Sequence, residues 1–183
     1  MSGLLRTRLL NFVLFQAGWF CCVLGAASGR PWMGAGLGLL LVMAHLGLVR
    51  TRRKEATLLL GALALGLVID TLHMRTGSLV FTGGSLHAEF APVWILVMWM
   101  QFASTLRFAM SWLEGRYVLG GLLGGVAGAM AYWAGVRLGA ATLGPDAAVS
   151  LLRIGLSWAL ALPLLLFLAG GDGDEGARLY RIF

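Results

Sequence analysis

The chain has 183 residues, of which 59% are hydrophobic and only 12% are charged, and its mean hydropathy is +0.85. A water-soluble protein of this size cannot bury so much apolar surface, so the composition excludes a soluble domain and indicates a membrane-embedded chain. The formal net charge is +6, but there is no basic soluble surface to carry it, which argues against a nucleic-acid-binding protein.

Six apolar segments are long enough to cross a bilayer, which takes about 20 residues of helix. They are residues 9–27, 32–49, 56–74, 90–113, 117–136 and 146–169. The first segment exceeds the apolar core of a secretory signal, about 7–15 residues, and is expected to be a retained helix. We therefore predict an all-α bundle of six transmembrane helices forming one membrane domain, residues 1–183, with a short polar tail at residues 172–183.

The basic residues predict the orientation of the bundle. A cytoplasmic N-terminus places most of the 14 Lys and Arg residues on the inner side, including the run Arg50, Arg52, Arg53 and Lys54. Cytoplasmic loops of membrane proteins carry such an excess of Lys and Arg. Both termini are therefore predicted to be cytoplasmic.

Five polar residues fall on the predicted inner side, in the first, second and fourth segments. This inner set consists of Asn11, Gln16, His45, Gln101 and Arg107. In hydrocarbon such groups hydrogen-bond to one another across helices. We expect them to hold helices together, and we expect His45 to be a helix-helix partner rather than a metal ligand.

Two ionisable residues, Asp70 and His73, lie one helical turn apart near the end of the third segment. Ionisable groups are costly in a bilayer, so this pair is our candidate for a catalytic general base or proton relay. Four further residues fall at the same predicted outer end, and we take them as candidate ligand-binding residues: Arg75, His87, Glu89 and Arg153. Together the six form an outer set around a polar cavity, in which Arg153 would hold an anionic headgroup.

A structural interpretation of the outer set is equally open. Asp70 would then pair with Arg153 or Arg75 to hold helices together, while His87 and Glu89 would be ordinary interface residues. The carboxylates and imidazoles of the set are also ligand types for zinc or iron. Because the chain has no paired-histidine motif, we predict no metal site, and the sequence names no cofactor. The loop at residues 75–88 is expected to form a small hairpin or a re-entrant loop.

Glycines mark the fifth segment at spacings that let helices approach closely. Gly121, Gly125 and Gly128 belong to overlapping small-xxx-small patterns. We expect this face to pack within one chain, because a six-helix chain must first pack itself. A homo-oligomer through the same glycines is the alternative.

Scattered residues along the chain resemble an uncharacterised family of small bacterial inner-membrane proteins, defined only as a domain of unknown function. The resemblance covers about residues 11–140 and rests on Asn11, Phe15, Gln16, Gly18, Trp19, Phe20, Gly29, Pro31, Trp32, His45, Gly66, Asp70, Gly77, Pro92, Val93, Trp94, Trp99, Phe102, Ala103, Thr105, Leu106, Tyr132, Gly135, Leu138 and Gly139. Members tend to be encoded beside genes like those for cyclopropane-fatty-acid synthases and flavin-dependent oxidoreductases. The resemblance implies a bacterial inner-membrane location and a link to the modification of membrane lipid.

Three functions are compatible with these observations. The first, which we favour, is a protein that binds membrane lipid or a lipid-modifying partner protein through the outer set. The second is an integral enzyme acting on a lipid or quinone-like substrate, with Asp70 and His73 as acid and base and Arg153 or Arg75 as an anion clamp. The third is a small proton-coupled transporter, although residues 58–68 and 118–131 are nearly devoid of the polar side chains that a path would need.

Overall fold

Six helices and two short strands make up the computed structural model, which describes residues 3–170 and 180–182. Five helices are long and apolar enough to cross a membrane: α1 (Gly3–Ala27), α2 (Pro31–Leu48), α3 (Arg52–Arg75), α5 (Tyr117–Arg137) and α6 (Ala147–Ala169). Between α3 and α5 lie strand β1 (Leu79–Phe81), helix α4 (Val93–Ala103) and a 3-10 turn (Ser111–Leu113), and strand β2 (Ala141–Leu143) precedes α6. The predicted tail lies outside the described residues except at positions 180–182.

The predicted all-helical class is confirmed, and the five long helices agree with five predicted segments. Their ends follow local sequence signals. Pro31 occupies the first turn of α2, where its missing N–H is not needed. Asp146 caps α6 by accepting a hydrogen bond from the Val149 N–H at 3.0 Å. α3 begins at Arg52, before its apolar part, because charged residues with long side chains are good helix formers.

The prediction of one long helix over residues 90–113 is wrong, because α4 has only 11 residues. Its rise of about 16 Å is well short of the ~30 Å hydrocarbon core. The Ser104 hydroxyl donates to the Gln101 carbonyl at 2.6 Å, and the Thr105 hydroxyl donates to the Phe102 carbonyl at 2.7 Å. Such local bonds compete with the helical ladder, and the chain continues as tighter turns.

Asn11 of α1 satisfies the backbone where α4 ends. Its side-chain Nδ2 donates to the Ser104 carbonyl at 3.0 Å, and its Oδ1 accepts from the Ala109 N–H at 3.2 Å. Non-helical backbone is tolerated at membrane depth only where protein or water satisfies it. The fully buried Asn11 is therefore a structural requirement of the broken fourth segment.

α4 is the central element and packs against α1, α2 and α3. Most of its residues are buried, including Trp94, Trp99 and Gln101. The Trp99 ring lies directly on Gly66 of α3, where any side chain would collide with it. On its other side Trp99 stacks on Trp158 of α6, with ring centroids 4.4 Å apart and planes 12° apart. Trp99 thus joins α3, α4 and α6.

The two strands close one end of the bundle, which we call the outer end after the predicted orientation. β1 and β2 pair antiparallel, with Leu79 opposite Leu143 and Phe81 opposite Ala141. The loop at residues 75–88 therefore pairs with the loop after α5. It therefore does not form a hairpin of its own, which was one of our two expectations, and the re-entrant alternative stays a prediction.

The glycines of α5 face α6 of the same chain. A Cβ on Gly124 would lie 2.5 Å from the Trp158 carbonyl, and one on Gly121 would lie 3.1 Å from the Ala159 carbonyl. Gly125 faces Gly155, and Gly128 lies against the Trp158 ring. Small residues thus let the two backbones approach closely, as expected for packing within one chain. A homo-oligomer through this face stays a prediction.

We predict that Gly124→Leu destabilises the protein, because the new side chain must displace the α6 backbone. Overpacking of this kind costs about 1–3 kcal/mol, and a rigid backbone neighbour puts this variant at the upper end. The measurement is thermal unfolding of the detergent-solubilised protein. Gly135→Leu on the same helix is the control, since no atom lies within 4 Å of a Cβ there. Equal destabilisation by both variants would contradict the prediction.

Candidate functional site

Asp70 is fully buried near the outer end of α3 and is held by two aromatic side chains. Its Oδ2 accepts a hydrogen bond from the Trp99 Nε1–H at 2.7 Å, and its Oδ1 accepts one from the Tyr132 hydroxyl at 2.7 Å. Both carboxylate oxygens are therefore satisfied by side chains of α4 and α5. Asp70 accordingly links three helices through neutral donors, and it does so without the arginine partner that we considered.

The rest of the outer set is dispersed. Arg153 donates from Nη1 to the Ser78 hydroxyl at 3.1 Å, while Arg75 and Glu89 form an exposed ion pair at 3.5 Å. His87 is exposed, with its ring centroid 6.0 Å from that of Phe90. These contacts do not bring the four candidate ligand-binding residues into one cluster, and a polar cavity among them stays a prediction. Among the residues described, no group of three or more His, Cys, Asp or Glu side chains is placed to hold a metal ion.

His73, the other member of the candidate catalytic pair, is almost completely buried, at 3% exposure. Its Nε2 atom has no hydrogen-bond partner within the described part of the chain. Its backbone carbonyl accepts a hydrogen bond from the Ser78 N–H at 2.9 Å, and the Ser78 hydroxyl accepts one from Arg153. His73 therefore belongs with Arg153 and Ser78, while Asp70 belongs with Trp99 and Tyr132.

A cleft with several aromatic rings in its lining lies between α1 and α5, which make little direct contact with each other, and α4 forms its floor. We call it the aromatic cleft. It has an outer part of about 80 Å³ and an inner part of about 410 Å³. Both parts are lined by Phe15, Trp19, Phe102, Ala131 and Trp158. The inner part also borders Gln16 of the inner set.

Asp70 lies directly behind the wall of the aromatic cleft. Trp99 and Tyr132, which hold its carboxylate, both line the outer part of the cleft. A molecule in the outer part would therefore touch the two rings whose polar atoms bind Asp70. The sequence analysis named Trp99 and Tyr132 only among the residues that carry the family resemblance and predicted no role for either. Tyr132 itself could have indicated a bond to Asp70, because a buried phenol needs a hydrogen-bond acceptor.

A second buried polar cluster, the inner network, connects α1, α2, α3 and Tyr180. The Tyr180 hydroxyl lies 2.8 Å from His45 Nδ1 and accepts from Asn11 Nδ2 at 3.1 Å. On the other side of the imidazole, His45 Nε2 lies 2.9 Å from Glu55 Oε1. Arg107 donates from Nη1 to Glu55 Oε2 at 3.4 Å, which extends the network to the turns after α4.

The inner network unites Asn11, His45 and Arg107 of the predicted inner set and leaves out the other two members. Gln101 lies against Gly18 and Gly38, and neither its Oε1 nor its Nε2 has a partner among the residues described. Sequence reasoning missed two members, Glu55 and Tyr180. Glu55 follows a run of basic residues that we used only to predict the orientation, and Tyr180 lies in the predicted polar tail.

Comparison with known proteins identifies one relationship. The family described as "Protein of unknown function (DUF2878)" matches residues 8–164 of the chain. This match confirms the resemblance to a family without an assigned function. No curated protein and no solved structure matches the chain.

We predict that Tyr132→Phe destabilises the protein by about 1–3 kcal/mol, because it leaves a buried carboxylate oxygen without its donor. The measurement is the free energy of unfolding in mixed detergent micelles. Tyr117→Phe, at a half-exposed position of the same helix, should have little effect. In an Asp70→Leu background the effect of Tyr132→Phe should shrink markedly. An unchanged effect in that background would show that the bond to Asp70 is not responsible.

Burial raises the pKa of the Tyr180 phenol above its ordinary value, with the hydrogen bond from Asn11 opposing the shift and the charge of Glu55 adding to it. The folded state therefore keeps this proton where the unfolded state has lost it. We predict that the free energy of unfolding falls as the pH rises above about 10, the ordinary tyrosine value. Tyr180→Phe should reduce that fall, whereas Tyr117→Phe should preserve it. Denaturant unfolding between pH 8 and 11 tests this, and identical pH profiles for all three proteins would refute it.

Proposed function

Because the chain belongs to the family described as "Protein of unknown function (DUF2878)", no activity comes to it from its relatives, and we propose one from the geometry of the aromatic cleft. The protein binds a membrane lipid and holds one hydrocarbon chain of that lipid in the cleft. The observation that carries this proposal is a groove with aromatic walls, set between two helices that are long and apolar enough to cross a membrane.

The dimensions and the lining of the cleft suit a lipid chain. Between Leu123 and Gly135, which line its inner and outer parts, α5 rises about 18 Å. This covers more than half of a ~30 Å hydrocarbon core. Ala127 and Ala131 on this wall are exposed and leave the space open. Since lipid chains and the cleft are equally apolar, the affinity would come from close packing against the rings.

The outer part of the cleft borders Phe81 and Ala141, which pair across the two strands. A chain in the cleft would therefore place its headgroup beside the two-stranded sheet. The headgroup is thus still proposed to lie in the outer leaflet. The binding surface, however, is now the aromatic cleft and no longer the outer set. A lipid-modifying partner protein would meet the lipid at the same end.

A proposed topology goes with this function. We propose a multi-pass protein of a bacterial inner membrane with both termini in the cytoplasm. In this topology α4 and the turns through Leu113 together make the fourth of six crossings. The basic run at Arg50–Lys54 then faces the anionic inner leaflet, as the distribution of positive charge favours.

The Tyr132–Asp70 pair supports a second candidate function, an integral enzyme acting on a lipid or quinone-like substrate. The Tyr132 ring lines the cleft while its hydroxyl donates to Asp70, so a small movement of this side chain would connect the carboxyl group with a bound molecule. We do not extend the proposal to proton-coupled transport. Asp70 bonds to aromatic side chains, and the inner network bonds within itself, so the described residues offer no continuous polar path.

We predict that Ala131→Trp lowers lipid binding, because the indole would fill the cleft where both of its parts meet. The assay is crosslinking of the purified protein to a phospholipid with a photoreactive acyl chain, and crosslinking should fall at least fivefold. Val126→Trp is the control, since Val126 is exposed on α5 and does not line the cleft. Crosslinked peptides should map to α1 and α5. Equal crosslinking of both variants would overturn the proposal.

A further inference from the structure

A separate pocket lies between α3 and α6 at the inner end of the bundle, and we call it the α3–α6 pocket. It has a volume of about 340 Å³ and is lined by Lys54, Thr57, Leu58, Gly61, Arg107 and Leu168. Two of these residues are cationic, one carries a hydroxyl group, and the other three are apolar. The lining is therefore amphipathic, whereas the aromatic cleft contains no charged side chain.

Arg107 is held in place at this pocket by two protein contacts. Its Nε donates to the carbonyl of Ala169, the last residue of α6, at 3.0 Å. Its Nη1 donates to Glu55 Oε2 at 3.4 Å. A guanidinium has five N–H donors in a rigid fork, so these contacts leave further donors for an anion in the pocket. Glu55 is only 1% exposed, so its negative charge lies behind the arginine and away from the opening.

The other polar residues lie one turn of α3 apart on the exposed side. Lys54 and Thr57 are spaced i and i+3, and both are exposed. Leu58 and Gly61 continue the same helix toward the membrane interior, with Leu168 of α6 facing them. The charge at the opening and the apolar surface below it have the arrangement of a phospholipid, with an anionic headgroup above a hydrocarbon chain.

We propose that the α3–α6 pocket binds an anionic phospholipid of the inner leaflet, with its phosphate between Lys54 and Arg107 and one acyl chain against Leu58, Gly61 and Leu168. Charge complementarity and the polar-to-apolar order of the lining support this occupant. This site is independent of the aromatic cleft, because the two share no lining residue. Loss of lipid binding at one of them leaves the other intact.

The charge contribution is tested with Lys54→Gln in the full chain, reconstituted in phosphatidylcholine nanodiscs. The assay titrates fluorescent phosphatidylglycerol and measures its association constant. Removing one lysine near an anionic surface is worth about 1 kcal/mol, so the constant should fall about fivefold. Arg53→Gln is the matched control, because Arg53 is an exposed neighbour that does not line the pocket. Equal losses in both variants would reduce the effect to general surface charge and overturn the proposal.

The apolar contribution is tested with Gly61→Leu, which fills the pocket without a clash because no atom lies within 4 Å of a Cβ there. Gly36→Leu on α2 is the control, at an equally open position outside the pocket. Only Gly61→Leu should weaken phosphatidylglycerol binding, and Ala131→Trp should leave it unchanged. Inorganic phosphate at millimolar concentration should not displace the lipid. Displacement by phosphate together with no effect of Gly61→Leu would assign the site to a free anion and overturn the lipid proposal.

Discussion

The structure depends on one constraint, which is that backbone N–H and C=O groups inside a membrane bundle must be satisfied by protein or water. Asn11 meets this constraint where it is most severe. Its amide bonds to a carbonyl and an N–H of the backbone beyond α4, and this permits a short helix at the centre of the molecule. A leucine at this position would leave two backbone groups without partners and would remove the reason for the chain to turn there.

The short α4 also explains why a cleft exists. α5 is drawn onto α6 by its glycine face, and α1 packs on α2 and α4, so α1 and α5 stand apart above α4. Met98, Phe102 and Trp158 form the base of the gap that remains. The same arrangement places Tyr132 between the cleft and Asp70. The position of α4 thus determines both how the helices pack and where the cleft is accessible from the bilayer.

The sequence predicted the helices well where hydropathy and capping agree, as at Pro31 and Asp146. It failed at α4, because a hydropathy pattern does not register that Ser104 and Thr105 bond to carbonyls three residues earlier. Asp70 was recognised as costly to bury, yet its partners were sought among arginines. Neutral N–H and O–H donors satisfy a buried carboxylate without the desolvation of a second charge, and such donors cannot be located from charge patterns. Glu55 was missed for a related reason, since its neighbours along the chain are cations while its partners in space come from α2 and the turns after α4.

The contacts of Tyr180 determine the stage of translation at which the inner network can form. Its hydroxyl bonds to Asn11 and His45, and its backbone bridges to Val49, so all of these partners leave the ribosome long before it does. Until translation reaches this residue, the buried His45 and Glu55 lie beside an unfilled space at the inner end of the bundle. The inner network therefore forms only after Tyr180 has been synthesised, and a product truncated before this residue leaves Asn11 and His45 without one of their buried partners.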